Sequence, residues 1–348
     1  MSDAPVCVFG AGAVGCYLGG RLAAAGANVT LVGRARIGDA IRRRGLTLTD
    51  RRGYRATLAP ADVVFTTDPA AAATARLVLV AVKSAATREA AAQLAGMLRP
   101  GTVVISFQNG LHNADVLREA LPQAIVLAGM VPFNVIEREP GAFHQGSAGA
   151  LAADASPALQ PFADAFARAG LPLALHRDMR AVQWAKLLLN LNNAVNALAN
   201  LPLRDELAQR AYRRCVAHAQ REALHCLTLA AIRPARLTPL PAAWIPAVLD
   251  LPDFAFRVLG GRMLAIDPLA RSSMSDDLAA QRATEVEWIN GEVVRLAARV
   301  GVQVPVNARL CALVHDAERA AARPAWRAAA LWAELTAQAV RAGDVRAA

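Results

Sequence analysis

Residues 5 to 32 constrain the fold of this chain more than any other stretch. Val6-Cys7-Val8-Phe9 is a short apolar run suited to a parallel strand buried on both faces. Gly10, Ala11, Gly12, Ala13, Val14 and Gly15 follow at once, then a helical stretch from Cys16 to Ala25 that Gly26 ends. Asn28 to Val32 reads as a second strand. A GxGxxG pattern alone is weak. It is specific when it leaves a strand, opens a helix and lies inside a βαβ unit of about 30 residues, as here. Gly10 permits the tight turn, Gly12 lets a pyrophosphate approach the backbone, and Gly15 lets the helix pack on the strand. The helix N-terminus then attracts the phosphates. Residues 10–15 are therefore candidate dinucleotide-binding positions.

The end of the second strand carries Gly33-Arg34-Ala35-Arg36, with no acidic residue before Asp39. An NAD-binding chain usually places Asp or Glu there for the ribose 2′-hydroxyl, whereas an arginine suits a 2′-phosphate. Arg34 thus favours NADP. Further apolar runs at Leu77–Val82, Val103–Ser106 and Ile125–Val131, with a helical stretch from Ala85 to Leu98, predict a Rossmann-type α/β fold with a doubly wound parallel sheet. Lys83 and Asn109-Gly110 fall just past strand ends, the edge where such sheets bind ligands. Residues 142–152 read as a hairpin, and His144 within it reads as structural rather than as a catalytic base.

With 348 residues the chain has room for about two domains, at roughly 150 residues each. The pattern turns helical near Met179, giving a dinucleotide-binding domain over 1–178 and an all-helical C-terminal domain over 179–348. The net charge is +10, yet only Lys83 and Lys186 are lysines among 38 basic residues. A bias of arginine over lysine explains the basic balance. The arginines are scattered and no nucleic-acid motif accompanies them, so nucleic acid is not an expected partner. The longest apolar run falls far short of the roughly 18 residues a membrane span needs. Five cysteines without a CxxC read as reduced core thiols of a cytoplasmic protein.

In such a chain the surviving lysines stand out, because an ammonium can give up a proton and a guanidinium cannot. Residues 182–203 carry a single charge, Lys186. At helical spacing Leu187, Leu191, Val195 and Leu198 form an apolar face, with Lys186, Asn190, Asn193 and Ala197 opposite. That second face suits the wall of an enclosed wet pocket, where burial lowers a lysine pKa as proton donors need. The segment 233–252 holds five prolines and reads as a broken connection. Ser272-Ser273-Met274 follows, then a helix from about Thr284 with Val286, Ile289, Val293, Leu296 and Val300 on one face. Glu285 lies at the edge of that face, where a carboxylate is costly unless paired or used.

From Val6 to about Glu318 these pieces resemble the ketopantoate reductase family in their order along the chain. They are Gly10 to Gly15, Arg34, Val82-Lys83, Asn109-Gly110, Trp184-Ala185-Lys186 with Asn190, Ser272-Ser273-Met274, Thr284-Glu285 through Gly291, and Gly301 to Pro305. The resemblance implies reduction of a 2-keto acid, ketopantoate, by NADPH, as in pantothenate and coenzyme A biosynthesis. It makes Lys186 the general acid and Glu285 the residue that binds substrate hydroxyls. Ser273 contacts the substrate carboxylate, Asn109 and Asn190 line the cofactor and substrate site, and Lys83 lies near the cofactor. The partners implied are a small-molecule 2-keto acid, with no nucleic acid and no membrane; a homodimer stays open. Two features depart from the family pattern. Ala194 stands where an asparagine is common, and the segment 233–252 lengthens the second domain. Reduction of another 2-keto acid, related hydroxy-acid dehydrogenation, and a non-catalytic NADP sensor remain the alternatives.

Overall fold

The structure is a computed structural model and describes residues 4–259, 267 and 270–341. The chain divides into two compact units, Met1–Met179 and Arg180–Ala348.

The first unit holds two sheets. The larger takes β1 (Val6–Phe9), β2 (Val29–Val32), β5 (Val64–Thr66), β6 (Leu77–Val80), β7 (Val103–Ser106), β8 (Ile125–Met130), β11 (Leu151–Asp154) and β12 (Leu173–His176). Their order is β12-β11-β8-β7-β6-β1-β2-β5. All neighbours run parallel except β8 and β11. The four residues of β1, β6 and β7 are buried throughout, as continuous apolar runs in a doubly covered parallel sheet should be. β1 lies between β2 and β6, so the chain order reverses beside it. That reversal is the switch point at which open α/β sheets bind ligands.

A smaller sheet was not legible beforehand. It comprises β3 (Leu46–Asp50), β4 (Arg55–Leu58), β9 (Val135–Glu139) and β10 (Ala142–Gln145), in the order β4-β3-β10-β9. The hairpin expected at 142–152 is therefore displaced. β9 and β10 form the antiparallel pair, while residues 151–154 return to the large sheet against β8. Helix α1 (Ala13–Ala24) separates the sheets and needs two adjacent glycines to do so. A Cβ on Gly19 would lie 2.4 Å from Leu31 of β2, and one on Gly20 would lie 2.6 Å from Leu46 of β3. Helices α2 (Ala35–Arg44), α3 (Thr87–Leu94), α4 (Asn113–Ala120) and α5 (Ala163–Arg168) complete this unit.

Among its described residues the second unit is all helical. Its helices are α6 (Met179–Asn190), α7 (Asn192–Ala199), α8 (Leu203–Leu207), α9 (Arg210–Leu229), α10 (Ile245–Leu249), α11 (Asp253–Leu259), α12 (Ser273–Ala279), α13 (Val286–Val300), α14 (Pro305–Arg319) and α15 (Ala328–Arg341). The helical stretch that follows Met179 is two helices, α6 and α7, broken at Leu191, and α7 is ended by Asn200 in a left-handed conformation, φ 54°. Its apolar face survives the break: Leu187, Leu191, Val195 and Leu198 are all buried.

The proline-rich segment is anchored rather than loose. Fully buried Arg213 of α9 donates to the carbonyls of Leu207, Leu249 and Leu251 and pairs with Asp253 at 2.9 Å. Asp250 in turn meets Arg210, Arg214 and Arg221. All five cysteines are buried and unbridged, and burial pushes each thiol well above its ordinary range. Among the described residues no helix is long and apolar enough to cross a membrane.

Candidate active site

The glycine loop turns directly from the end of β1. Gly10 sits at φ 105°, and a Cβ there would lie 2.5 Å from the backbone nitrogen of Val82. A Cβ on Gly15 would lie 2.3 Å from the Gly10 carbonyl oxygen. Both positions therefore exclude a side chain for internal reasons. Gly12 differs: a Cβ there would meet nothing within 4 Å. It is the N-cap of α1, and no side chain caps that helix. An open backbone beside an uncapped first turn fits the pyrophosphate of a dinucleotide. Ala11 is buried; Ala13 and Val14 are half-buried.

Two arginines follow β2, and their surroundings separate them. Arg36 is held by Glu137 of β9 at 2.7 Å. Arg34, the exposed N-cap of α2, has no ion pair among the described residues.

Lys83 is exposed and opens a short 3-10 turn, three residues beyond the end of β6. Asn109 is half-buried, and its carbonyl accepts hydrogen bonds from Ser84 Oγ at 2.9 Å and from the Asn113 amide. A buried network behind them was missed by the sequence reading. Gln108 donates to the Val82 carbonyl at 3.1 Å and to Thr87 Oγ1 at 2.7 Å, and it accepts from Ser106 Oγ at 2.8 Å. Thr87 passes the chain on to Asn113 Oδ1 at 2.7 Å. These bonds fix the loops after β6 and β7 to one another. Spacing gives no sign of them, because they join residues some 20 to 30 positions apart. His144 lies buried in the small sheet, with Nδ1 2.8 Å from Thr49 Oγ1, away from the glycine loop in sequence and in sheet.

In the second unit Lys186 is half-buried on α6. Burial draws its ammonium down to about 8, while the Glu285 carboxylate works in the opposite direction. The two candidate chemical groups thus feel one another. Glu285 is buried but not on the flank of a helix: α13 begins at Val286, and Glu285 is its N-cap residue, without a capping bond from its own side chain. It therefore sits at a joint between segments. Asn190, one turn beyond Lys186, is half-buried, and its side chain makes no hydrogen bond among the described residues.

Ser273 is the first residue of α12 and is partly exposed. The preceding Ser272 does the structural work. It accepts from the Ser275 N–H at 3.1 Å and donates to the Asn193 carbonyl at 3.2 Å. Its own N–H reaches Asn196 Oδ1 at 2.9 Å. Asn196 then donates to Glu206 at 2.8 Å and to the Leu201 carbonyl at 3.0 Å. Glu206 is fully buried, and burial pushes its carboxyl up to about 8 against the asparagine hydrogen bonds. Neither Asn196 nor Glu206 was singled out in the sequence, where each looks like an ordinary surface residue. Ala194 is completely buried, and the neighbouring Asn193 is half-buried. The glycine loop, Arg34, Lys83 and Asn109 thus belong to the first unit, and Lys186, Asn190, Ser273 and Glu285 to the second.

Residues 6–157 match the family described as ketopantoate reductase PanE/ApbA, and residues 178–318 match its C-terminal part. The chain is 30% identical over 331 residues to the 2-dehydropantoate 2-reductase of Halobacterium salinarum, covering 90% of this chain and 99% of that one. It is 31% identical over 255 residues to the 2-dehydropantoate 2-reductase of Caulobacter vibrioides, covering 72% and 80%. Among solved structures, a PanE/ApbA family ketopantoate reductase from Ralstonia eutropha superposes with TM-score 0.77 at 30% identity, over 90% of this chain and 98% of that one. A ternary structure of D-mandelate dehydrogenase with NADH and anilino(oxo)acetate shares the fold at TM-score 0.72 and 19% identity, over 90% and 98%. With matches that run through both units, the chain belongs to the ketopantoate reductase family of oxidoreductases.

Proposed function

We propose that this chain reduces 2-dehydropantoate (ketopantoate) to pantoate with NADPH. The observation that carries this reading is the Lys186 ammonium on the helical unit, drawn down by burial to about 8 with the Glu285 carboxylate acting in the opposite direction. An ammonium drawn down to about 8 is still mostly protonated at pH 7, yet gives up its proton far more readily than an exposed lysine. Glu285 helps keep it charged in a low-dielectric setting.

Residues 10–15 would hold the pyrophosphate, and Arg34 would meet the 2′-phosphate through charge-assisted hydrogen bonds. When bound, the dinucleotide supplies the hydride that reaches the ketone carbon. Lys186 Nζ delivers a proton to the oxygen that becomes an alkoxide. Ser273 Oγ donates to the substrate carboxylate, and the Glu285 carboxylate accepts the terminal hydroxyl. Asn190, one turn from Lys186, lines the substrate side; Asn109 and Lys83 serve the cofactor side. The proton donor and the donor to the substrate carboxylate thus come from different helices of the second unit.

A second reading, reduction of another 2-keto acid, draws on Ala194. Its fully buried methyl takes the place of an amide and adds no hydrogen-bonding group. NADPH oxidation across a panel of 2-keto acids separates the two. Ketopantoate as the best substrate supports the first reading, and a faster apolar 2-keto acid overturns it while leaving the Lys186 chemistry intact.

A further inference from the structure

One cluster of ionisable groups holds both sides of the joint at Glu285. Before it, the Thr284 N–H donates to Glu318 Oε1 at 2.7 Å. After it, Glu287 Oε1 lies 2.8 Å from His315 Nε2. The other ring nitrogen, His315 Nδ1, lies 2.9 Å from Glu318 Oε2. The Val286 N–H reaches Thr284 Oγ1 at 3.3 Å, closing the turn around Glu285 itself. A single imidazole on α14 thereby links the residue before Glu285 to the second residue after it.

Geometry sets the protonation state of that ring. A neutral imidazole has one N–H, and a carboxylate only accepts. Both contacts are hydrogen bonds only when the ring is an imidazolium. The hydrogen bonds to Glu287 and Glu318 hold the His315 pKa above its ordinary value, with burial acting against them. Burial alone would raise Glu318, but the bonds from His315 and Thr284 bring it below the usual carboxylate range.

The charged surroundings are few. From α13 the ring meets Glu287, which is itself tied to Arg295. From its own helix it meets Glu318, while neighbouring Asp316 pairs with Arg319. α15 reaches α14 through Glu334 and Arg309, and α9 reaches it through Glu222 at Val306 and Asn307, both earlier along the helix. α7 carries no charged residue.

We propose that His315, as an imidazolium between Glu287 and Glu318, is a positioning residue that fixes the Glu285 carboxylate for the substrate's terminal hydroxyl. This rests on the reading of Glu285 as the hydroxyl acceptor. A neutral ring would keep one of its two contacts and set a lone pair against the other carboxylate. The joint would then loosen, and substrate affinity would fall without loss of the proton donor.

The test compares ketopantoate with its analogue lacking the terminal hydroxyl, in wild type, His315→Gln, His315→Arg and Glu285→Gln. NADPH affinity and thermal unfolding serve as folding controls. His315→Gln should raise KM for ketopantoate about tenfold or more, the scale of one hydrogen bond to a charged group, and change kcat less than about threefold. KM for the analogue should move by less than about twofold, because the analogue never uses the Glu285 contact. In the wild type, KM for ketopantoate should rise as pH passes the His315 titration. His315→Arg, which keeps charge and several donors, should hold KM near wild type and remove that rise. Equal losses on both substrates in His315→Gln, with the loss in Glu285→Gln confined to the hydroxylated acid, would overturn the role of His315 and leave Glu285 standing. If Glu285→Gln weakens both substrates alike and leaves their ratio as in the wild type, the hydroxyl reading falls and this proposal with it. Should His315→Gln not fold, a wild-type KM that stays flat across pH overturns the proposal.

Discussion

The two units build their candidate sites from different materials. In the first, the site is mostly backbone: a glycine turn, an uncapped helix start, and loops braced by Gln108, Thr87 and Asn113. In the second it is side chains on helices, several of them ionisable and shifted by burial. A backbone site is set by sterics and responds to pH little. A side-chain site in low dielectric is set by desolvation and can be tuned or damaged by one proton. The cofactor half of such an enzyme can therefore stay constant while the substrate half is adjusted.

The sharpest test of this contrast is Lys186. Lys186→Ala should lower kcat by roughly 10²- to 10⁴-fold with NADPH affinity nearly unchanged, the usual range for a lost general acid. Lys186→Arg should rescue poorly, because it keeps charge without a transferable proton. In the wild type, kcat should fall as pH rises past about 8, where the ammonium is lost. Near-normal turnover by Lys186→Arg would mean that the proton comes from elsewhere.

Glu206 gives the next largest effect, on stability. Its folded pKa is raised, so between about 4.5 and about 8 the folded state binds the proton that the unfolded state has released. Stability is then full below the unfolded value and declines as pH rises toward 8, by up to a few kcal/mol. Chemical denaturation at pH 5 and pH 8 should show this decline in the wild type and a flatter profile in Glu206→Gln. An identical pH profile in the variant would place the titration in other groups.

The glycine loop should behave in the opposite way. Gly15→Ala forces a Cβ against the Gly10 carbonyl and should cost roughly 1–3 kcal/mol of stability, read as a lowered Tm. Gly12→Ala meets no protein atom, so Tm should hold while NADPH binding weakens. If both lower Tm alike, Gly12 is structural and the open-backbone reading fails. The smallest effect concerns cofactor choice. Arg34→Ala should shrink the preference for NADPH over NADH by roughly 2 kcal/mol, on the scale of hydrogen bonds to charged groups. Arg36→Ala should shrink it less, because Glu137 already holds Arg36. Equal use of NADPH and NADH by the wild type would remove the basis for this comparison.

The same contrast explains what could be read from the sequence. The βαβ unit was legible because strand, glycine turn, helix and strand follow one another within about 30 residues, with Gly15 packed against nearby Gly10. The apolar face opposite Lys186 was legible from helical period, and Lys186 itself stood out as one of two lysines in an arginine-rich chain. The small sheet was not. β4 alternates exposed and half-buried residues, and β10 pairs in parallel with β3 across nearly 100 positions. No local pattern encodes such a pairing. The break at Leu191 also escaped, because its backbone stays in the helical region and keeps its bond to Leu187. The start of α13 was placed two residues early, since Thr284 and Glu285 both suit a first helical turn. Asn196 and Glu206 escaped for a physical reason: a buried polar pair is recognised by its partners, and those are known only once the chain has folded.

The ion pair of Glu137 with Arg36 has a consequence for how coenzyme use could drift. One carboxylate from the small sheet decides that a loop with two arginines offers one uncommitted guanidinium instead of two. Glu137 is far from the loop in sequence and belongs to a different sheet, so its replacement would look like a change in the scaffold. It would nevertheless free a second cation two residues along the chain from the first. Selection, or an engineer, could thus retune the discrimination between the two nicotinamide coenzymes from the neighbouring sheet, with every residue of the loop left as it is.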